Sequence, residues 1–110
     1  MSENKKYLSV IIPCYNSAEY MHVSIESALV GGEDVEILIV DDGSTKDNTY
    51  EIAKQYEEKY PTIIRAITQE NKGHGGAVNT GIANATGEYI KVLDSDDWLD
   101  EYSLLYILNK

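Results

Sequence analysis

Residues 35–44 have the sequence VEILIVDDGS, in which an almost wholly apolar run meets a cluster of turn-forming residues. The run over residues 35–40 lacks the polar alternation of a half-exposed strand and is typical of a β-strand that is buried on both faces. The residues at 41–44 favour a turn directly after it. The stretch therefore predicts a buried strand whose C-terminal end carries two carboxylates, Asp41 and Asp42.

The residues before this stretch predict another strand and the helix that joins the two. Residues 8–12, LSVII, form a short apolar run that Pro13 ends. Asn16, with Glu19 three residues later, has the pattern of a capping box that starts a helix, and the glycine pair at 31–32 ends that helix. The apolar residues of this helix recur at helical spacing, as Met21, Ile25, Ala28 and Leu29.

The residues after the stretch continue the same alternation. Residues 48–60 place apolar side chains on one helical face, Asn48 and Glu51 have the spacing of a second capping box, and Pro61 follows. The later elements are a strand IIRAIT at 63–68, glycines 73, 75 and 76 ahead of a helix over 77–85, a strand EYIKVL at 88–93, and a final helix with Leu104, Leu105 and Leu108. That last helix breaks off near Lys110, which favours a piece of a longer protein.

Strands that alternate with helices predict the fold class α/β, with a parallel Rossmann-like sheet of about four strands and helices on both faces. We expect a polar N-terminal tail over residues 1–6 and one domain over residues 7–110. Ligands of such sheets bind outside the carboxyl ends of the strands. The residues that should gather at this edge are Tyr15, Asp41, Asp42, Asp94 and Asp96.

Composition excludes several classes of partner. With 9 basic and 19 acidic residues, the chain has a formal net charge of -10, which repels nucleic acids and anionic lipid surfaces. A phosphorylated ligand would need a divalent cation to reverse the local charge. Cys14 is the single cysteine, so the chain forms no intrachain disulfide and fits a reducing compartment. A membrane-spanning helix needs about 20 apolar residues, and no run in this sequence approaches that length. We therefore expect a cytoplasmic protein, and membrane association is left open for the full-length protein.

The two acidic clusters each have a functional and a structural interpretation. Asp94 and Asp96 leave the fourth strand at positions i and i+2, from which both carboxylates can reach one hard cation, Mn²⁺ or Mg²⁺. The alternative is a polar turn that caps a helix. One of Asp41 and Asp42 can accept hydrogen bonds from a nucleobase while Tyr15 stacks on the base, or the two residues can simply form a turn.

Four segments of the chain resemble, in order and spacing, the successive motifs of the family 2 glycosyltransferases, which have the GT-A fold. These segments are VIIPCYN, VEILIVDDGSTKDNT, NKGHGGAVNTGIANATGEYI and KVLDSDDW, and they cover nearly the whole chain. The resemblance implies an enzyme that transfers a sugar from a nucleotide-diphospho-sugar, often a UDP-sugar, to an acceptor hydroxyl. It also implies inversion of the anomeric carbon and a role in polysaccharide or glycoconjugate synthesis.

The resemblance also assigns site residues. It places the nucleotide on Pro13, Tyr15, Asp41, Asp42 and Asp94, and the metal ion on Asp96 and Asp94 as the DxD motif. Lys72 is a further candidate for the nucleotide because it brings positive charge into the glycine-rich loop. The general base is expected beyond Lys110, and the acceptor stays open between a glycan, a lipid-linked glycan and a protein. Val78 departs from the pattern, since many relatives have arginine there.

Other functions fit the sequence less well. A magnesium-binding receiver domain would have its acidic pair after the first strand, whereas here that strand runs into Pro13. A dinucleotide oxidoreductase would have G-x-G-x-x-G there, and a nucleotidyltransferase a glycine-rich basic loop. The remaining alternative is a fragment that binds nucleotide and metal but is inactive on its own.

Overall fold

The computed structural model describes residues 6–45 and 47–109, in which four parallel strands form one sheet. The strands are β1 (Leu8–Cys14), β2 (Val35–Asp41), β3 (Ile64–Thr68) and β4 (Tyr89–Val92). The helices are α1 (Met21–Leu29), α2 (Thr49–Lys59), α3 (Gly73–Asn84) and α4 (Glu101–Ile107), and a 3-10 turn (Gly32–Asp34) precedes β2. The predicted α/β class, with its alternation of strands and helices, is confirmed.

The order of the strands in the sheet is β3-β2-β1-β4. The chain builds outward from β1 through β2 to β3 and then returns to the other side of β1 with β4. The direction of winding therefore reverses between β1 and β4, and sheets of this kind bind ligands beside that reversal, outside the carboxyl ends of the strands.

Helices cover both faces of the sheet, as predicted. The larger core lies under α1, α2 and α4, where Met21, Ile25 and Leu104 pack with alternate residues of β1 and β2. The smaller core lies under α3, where Ala77 packs against Ile11 and its neighbours. Because both faces are covered, every residue of β1 and β2 is buried, which is why these strands lack polar alternation.

Strand β1 runs past the proline that was expected to end it. Pro13 pairs with Val40 inside the strand. The carbonyl of Ile11 accepts from Leu93 N toward β4, whereas that of Cys14 accepts from Asp42 N toward β2. A backbone N–H at position 13 would point toward β4, but the pairing of β1 with β4 ends at Ile11. Proline lacks this N–H and therefore removes no hydrogen bond from the sheet.

The predicted capping box at the start of α1 is wrong. The helix begins at Met21, and Asn16 lies in the left-handed region with φ of 51°. Its backbone N–H donates to Ser44 Oγ and its side-chain oxygen accepts from Thr45 N, so Asn16 joins two loops rather than capping a helix. Helix α2 begins within a residue of its predicted start, but Asn48 makes no side-chain cap contact.

Helix α3 begins at Gly73, ahead of the predicted start at residue 77. The predicted tail over residues 1–6 lies outside the described residues except for Lys6, which is buried and donates from Nζ to the carbonyl of Glu33 at 2.7 Å. Lys110, near the predicted break of the last helix, also lies outside them. Of the helices within residues 6–45 and 47–109, none has the length and apolar character that crossing a membrane requires.

Candidate nucleotide-binding cavity

A cavity of about 440 Å³ opens at the carboxyl edge of the sheet, beside the reversal between β1 and β4. Segments that follow all four strands contribute to its wall, although they are far apart in the sequence. The lining residues are Pro13, Cys14, Tyr15, Ser17, Tyr20, Asp42, Asn71, Gly73, His74, Ala77, Asp94, Ser95 and Asp96. The predicted gathering of residues at this edge is therefore observed for most of its members.

The structure brings five of the predicted site residues together and leaves two outside. Those that line the cavity are Pro13, Tyr15, Asp42, Asp94 and Asp96. Asp41 and Lys72 are not part of its wall, although each is adjacent to a residue that is. The binding roles of all seven residues stay predictions.

Asp42 holds the loop that follows β3. Its Oδ1 accepts from Gln69 Nε2 at 2.9 Å and from Lys72 N at 2.8 Å, and its Oδ2 accepts from Gly73 N at 2.9 Å. The side chain is buried, and these three donors occupy most of the roughly four acceptor positions of a carboxylate. One acceptor position remains for a ligand, so Asp42 both shapes the cavity and can contact what enters it.

Close approach of two loops makes a glycine necessary beside Asp42. Gly43 has a φ of 74°, and a Cβ there would lie 2.9 Å from the backbone nitrogen of Asn71. Both the backbone conformation and the contact exclude a larger side chain. The turn predicted after β2 is not formed, because residues 42–45 are an irregular loop that passes close to Asn71 and brings Asp42 to the cavity.

Asp41 is not part of the cavity wall and joins the ends of β2 and β3. Its Oδ1 accepts from Ser44 N at 3.2 Å, and its Oδ2 accepts from Thr68 Oγ1 at 2.9 Å. The side chain is buried. In this arrangement Asp41 stabilises the loop that carries Asp42.

Asp94 and Asp96 line the cavity, and hydrogen bonds to Ser17 and Ser24 fix the segment that carries them. Ser95 Oγ lies 2.8 Å from Ser17 Oγ, and Ser24 Oγ donates to the carbonyls of Asp94 and Asp97. A turn closes with Asp97 N donating to Asp94 O at 3.0 Å. With the backbone and Ser95 held inward, the two carboxylates that flank Ser95 are left exposed at the cavity mouth.

The carboxylates of Asp94 and Asp96 suit a cation whose remaining coordination positions are filled by a bound ligand and water. Among residues 6–45 and 47–109, no group of three or more His, Cys, Asp or Glu side chains forms a metal cage. Mg²⁺ in proteins commonly has one or two carboxylates, with substrate phosphates and water filling the other positions. Two exposed carboxylates beside an open cavity match that arrangement.

Several lining residues were not predicted, and Tyr20 and His74 illustrate the reasons. Tyr20 lies at the cavity because α1 begins one residue after it, whereas a helix that began at Asn16 would have placed it inside the first turns. His74 stands between glycines in the sequence, a setting that has no specific signature. Its contact with Asp94, 20 residues away, was not visible in the sequence.

Cys14 lines the cavity but is chemically shielded. The residue is 2% exposed, and burial, with a smaller contribution from the charge of Asp41, raises the pKa of its thiol to about 12. Because the thiolate is the reactive form, we expect alkylation by iodoacetamide at mildly alkaline pH to be at least about a hundredfold slower in the folded than in the urea-unfolded chain. Mass spectrometry of timed samples measures both rates, and similar rates would show that the thiol is accessible and ionised.

Comparison with known proteins gives consistent results. A model of glycosyl transferase family 2 matches residues 9–110. An uncharacterized glycosyltransferase of Nostoc sp. strain PCC 7120 is 50% identical over 91 residues, which are 82% of this chain and 28% of that protein. The chain therefore spans less than a third of this relative.

Two solved structures extend the comparison to the fold. The crystal structure of S. aureus TarS 1-349 in complex with UDP has a TM-score of 0.80 and 28% identity, and the match covers 94% of this chain and 31% of that one. The mannosyltransferase PcManGT from Pyrobaculum calidifontis, in complex with GDP-Man and Mn²⁺, has a TM-score of 0.78 and 26% identity, with coverage of 93% and 31%.

Proposed function

The chain belongs to glycosyl transferase family 2, and from this membership we propose that its cavity binds the nucleotide diphosphate of a sugar donor in a protein that transfers the sugar to an acceptor hydroxyl. One observation carries the proposal. An aromatic side chain, a buried carboxylate with a free acceptor position and two exposed carboxylates line one cavity at the winding reversal of the sheet.

The base of the nucleotide would lie between the ends of β1 and β2. Tyr15 is 48% exposed and offers an aromatic face, while Asp42 can accept one further hydrogen bond from a base N–H. Pro13 forms the adjoining wall, and we propose supporting contacts from Asp41 and Lys72, which precede the lining residues Asp42 and Gly73 in the sequence. Since TarS was solved with UDP and PcManGT with GDP-Man, we propose a nucleoside diphosphate and favour UDP.

The diphosphate would lie toward the end of β4. Asp94 and Asp96 would hold Mn²⁺ or Mg²⁺ together with phosphate oxygens, and the presence of Mn²⁺ in the PcManGT complex supports this. When bound, the cation supplies positive charge that stabilises the departing diphosphate. Without it, the acidic residues of this wall would repel the phosphates.

The transfer itself needs an acceptor hydroxyl whose proton a carboxylate removes. We propose attack from the face opposite the diphosphate, which inverts the anomeric carbon, within polysaccharide or glycoconjugate synthesis. A glycan, a lipid-linked glycan or a protein would serve as the acceptor. We assign no general base among residues 6–45 and 47–109.

Calorimetric titration tests the proposal. We expect the chain to bind one of UDP, GDP and ADP in the presence of Mn²⁺, and Asp96→Ala to weaken that binding by roughly 30-fold or more, because loss of even an outer-shell partner of a metal ligand costs about 10- to 100-fold. Chelation of the metal should have a similar effect. Asp97→Ala is the matched control, because Asp97 is an exposed carboxylate of the same loop outside the cavity wall, and it should change affinity by less than about threefold.

The outcome that contradicts the proposal is a folded wild-type chain that binds none of the three nucleotides. Binding without turnover of UDP-glucose or other sugar donors would instead support the alternative of a binding fragment that is inactive on its own. That alternative has specific support, since the chain spans less than a third of its relatives.

A further inference from the structure

His74 makes a contact that crosses the mouth of the cavity. Its Nε2 lies 3.1 Å from Oδ1 of Asp94, joining the first turn of α3 to the end of β4. We propose that His74 is a positioning residue for Asp94, which orients the carboxylate before the nucleotide diphosphate and its cation arrive. The proposal rests on the function proposed above for the same cavity.

The backbone that carries His74 is fixed from the other side of the cavity. The carboxylate of Asp42 accepts from the N–H groups of Lys72 and Gly73, the two residues that immediately precede His74. Gly73 has a φ of 83°, which turns the chain sharply into α3. Asp42 therefore places the imidazole, and the imidazole in turn contacts Asp94, so that one chain of contacts joins two of the three acidic residues of the wall.

The position between two glycines leaves the imidazole room to reach Asp94. A Cβ at Gly73 or Gly75 would meet nothing within 4 Å, so neither position is closed by neighbouring atoms. Longer side chains at these positions would compete with the imidazole for the same open space. The first turn of α3 thus combines a backbone that Asp42 holds with an imidazole that contacts Asp94.

The contact is poorly suited to a role in stability alone. The side chains of His74 and Asp94 are 65% and 61% exposed, and pairs this open to solvent contribute little to folding. Its consequence is geometric, because it engages Oδ1 of Asp94 and leaves Oδ2 for the incoming ligand. A carboxylate that is already oriented loses less side-chain freedom when it binds, and groups that orient metal ligands affect affinity in this way.

A double-mutant cycle on nucleotide affinity measures this role. We expect His74→Leu to weaken Mn²⁺-dependent binding of UDP, or of whichever nucleotide binds best, by about tenfold. His74→Gln should stay within about threefold of wild type, because its amide N–H can replace the donor at Nε2. In an Asp94→Asn background, His74→Leu should change affinity by less than about twofold.

The control and the contradicting outcomes are specific. His22→Leu is the matched control, since His22 is the only other histidine and lies on α1 outside the cavity wall. Equal losses from His74→Leu in both backgrounds would mean that His74 contacts the nucleotide directly, which overturns the positioning role. No loss in the wild-type background would also overturn it.

A second measurement needs no nucleotide and separates this inference from the proposed function. Long-range ¹H–¹⁵N spectra resolve the imidazole nitrogens of the two histidines, and we expect Asp94→Asn to move the Nε2 signal of His74 but not that of His22. An unmoved signal overturns the contact. If the signal moves but the wild type binds no nucleotide, both the proposed function and the positioning role are overturned. If the wild type binds nucleotide and His74→Leu leaves the affinity unchanged, only the positioning role is overturned.

Discussion

Replacement of Asp42 by alanine is expected to lower the free energy of unfolding by roughly 2 to 3 kcal/mol and nucleotide affinity by at least about a hundredfold. The substitution removes a buried carboxylate that accepts from Gln69 Nε2 and from the N–H groups of Lys72 and Gly73. The loop that bears His74 would lose its anchor at the same time. Urea denaturation and calorimetric titration of the same preparation give the two quantities.

Two variants show whether both effects have this cause. Asp42→Asn keeps the shape of the side chain but replaces one acceptor oxygen with an NH₂ group. That group would face the N–H donors that Asp42 accepts from, so we expect an intermediate loss of stability. Asp96→Ala removes an exposed carboxylate from the same cavity and should change stability by less than about 0.5 kcal/mol while it weakens binding. If Asp42→Ala retained wild-type stability, the anchoring of the loop would be refuted.

Replacement of Glu36 by alanine is expected to lower the free energy of unfolding by roughly 3 kcal/mol without a change in nucleotide affinity of the folded protein. The Glu36 side chain is buried and accepts from Ser9 Oγ at 2.8 Å, Thr86 N at 2.8 Å and Thr86 Oγ1 at 3.0 Å. Arg65 Nη1, on the neighbouring strand, lies 3.7 Å from Oε1. The substitution leaves these polar groups of β1 and of the connection to β4 without their acceptor.

The position of Glu36 explains why binding should survive. It is the second residue of β2 and pairs with Ser9, at the end of the sheet opposite to the cavity. Glu36→Gln should cost about half as much, because one oxygen acceptor remains. Exposed Glu88 is the control, and its alanine variant should lie within about 0.5 kcal/mol of wild type in urea denaturation. A stable Glu36→Ala protein would contradict the assigned network.

Much of the fold follows from the sequence because the strands are buried on both faces. The apolar runs around Val10 and Ile37 reflect that burial directly, so their positions and their parallel pairing could be predicted. Element ends were less predictable. Pro13 continues a strand because β4 is short, and Asn16 joins two loops instead of capping a helix. Both outcomes depend on neighbours that are distant in the sequence.

In the candidate site, the positions of the main residues could be predicted from the sequence, whereas their hydrogen-bond partners could not. Tyr15, Asp42, Asp94 and Asp96 were predicted to meet because the carboxyl ends of parallel strands share an edge. Which donors each carboxylate accepts from was not predictable. Asp42 accepts from residues about 30 positions later, and Asp94 contacts His74 20 positions earlier. Such contacts depend on loop conformations that local propensity does not determine.

The most direct test of the central claim is to locate the bound cation. We would add Mn²⁺ in steps to the ¹⁵N-labelled protein with its nucleotide and record the loss of amide signals caused by the paramagnetic ion. We expect the signals of Asp94, Ser95, Asp96 and Gly73 to disappear first, those near Gly87 to persist longest, and Asp96→Ala to abolish the pattern. Loss centred on another acidic surface, or unchanged by Asp96→Ala, would contradict a nucleotide and cation site in this cavity.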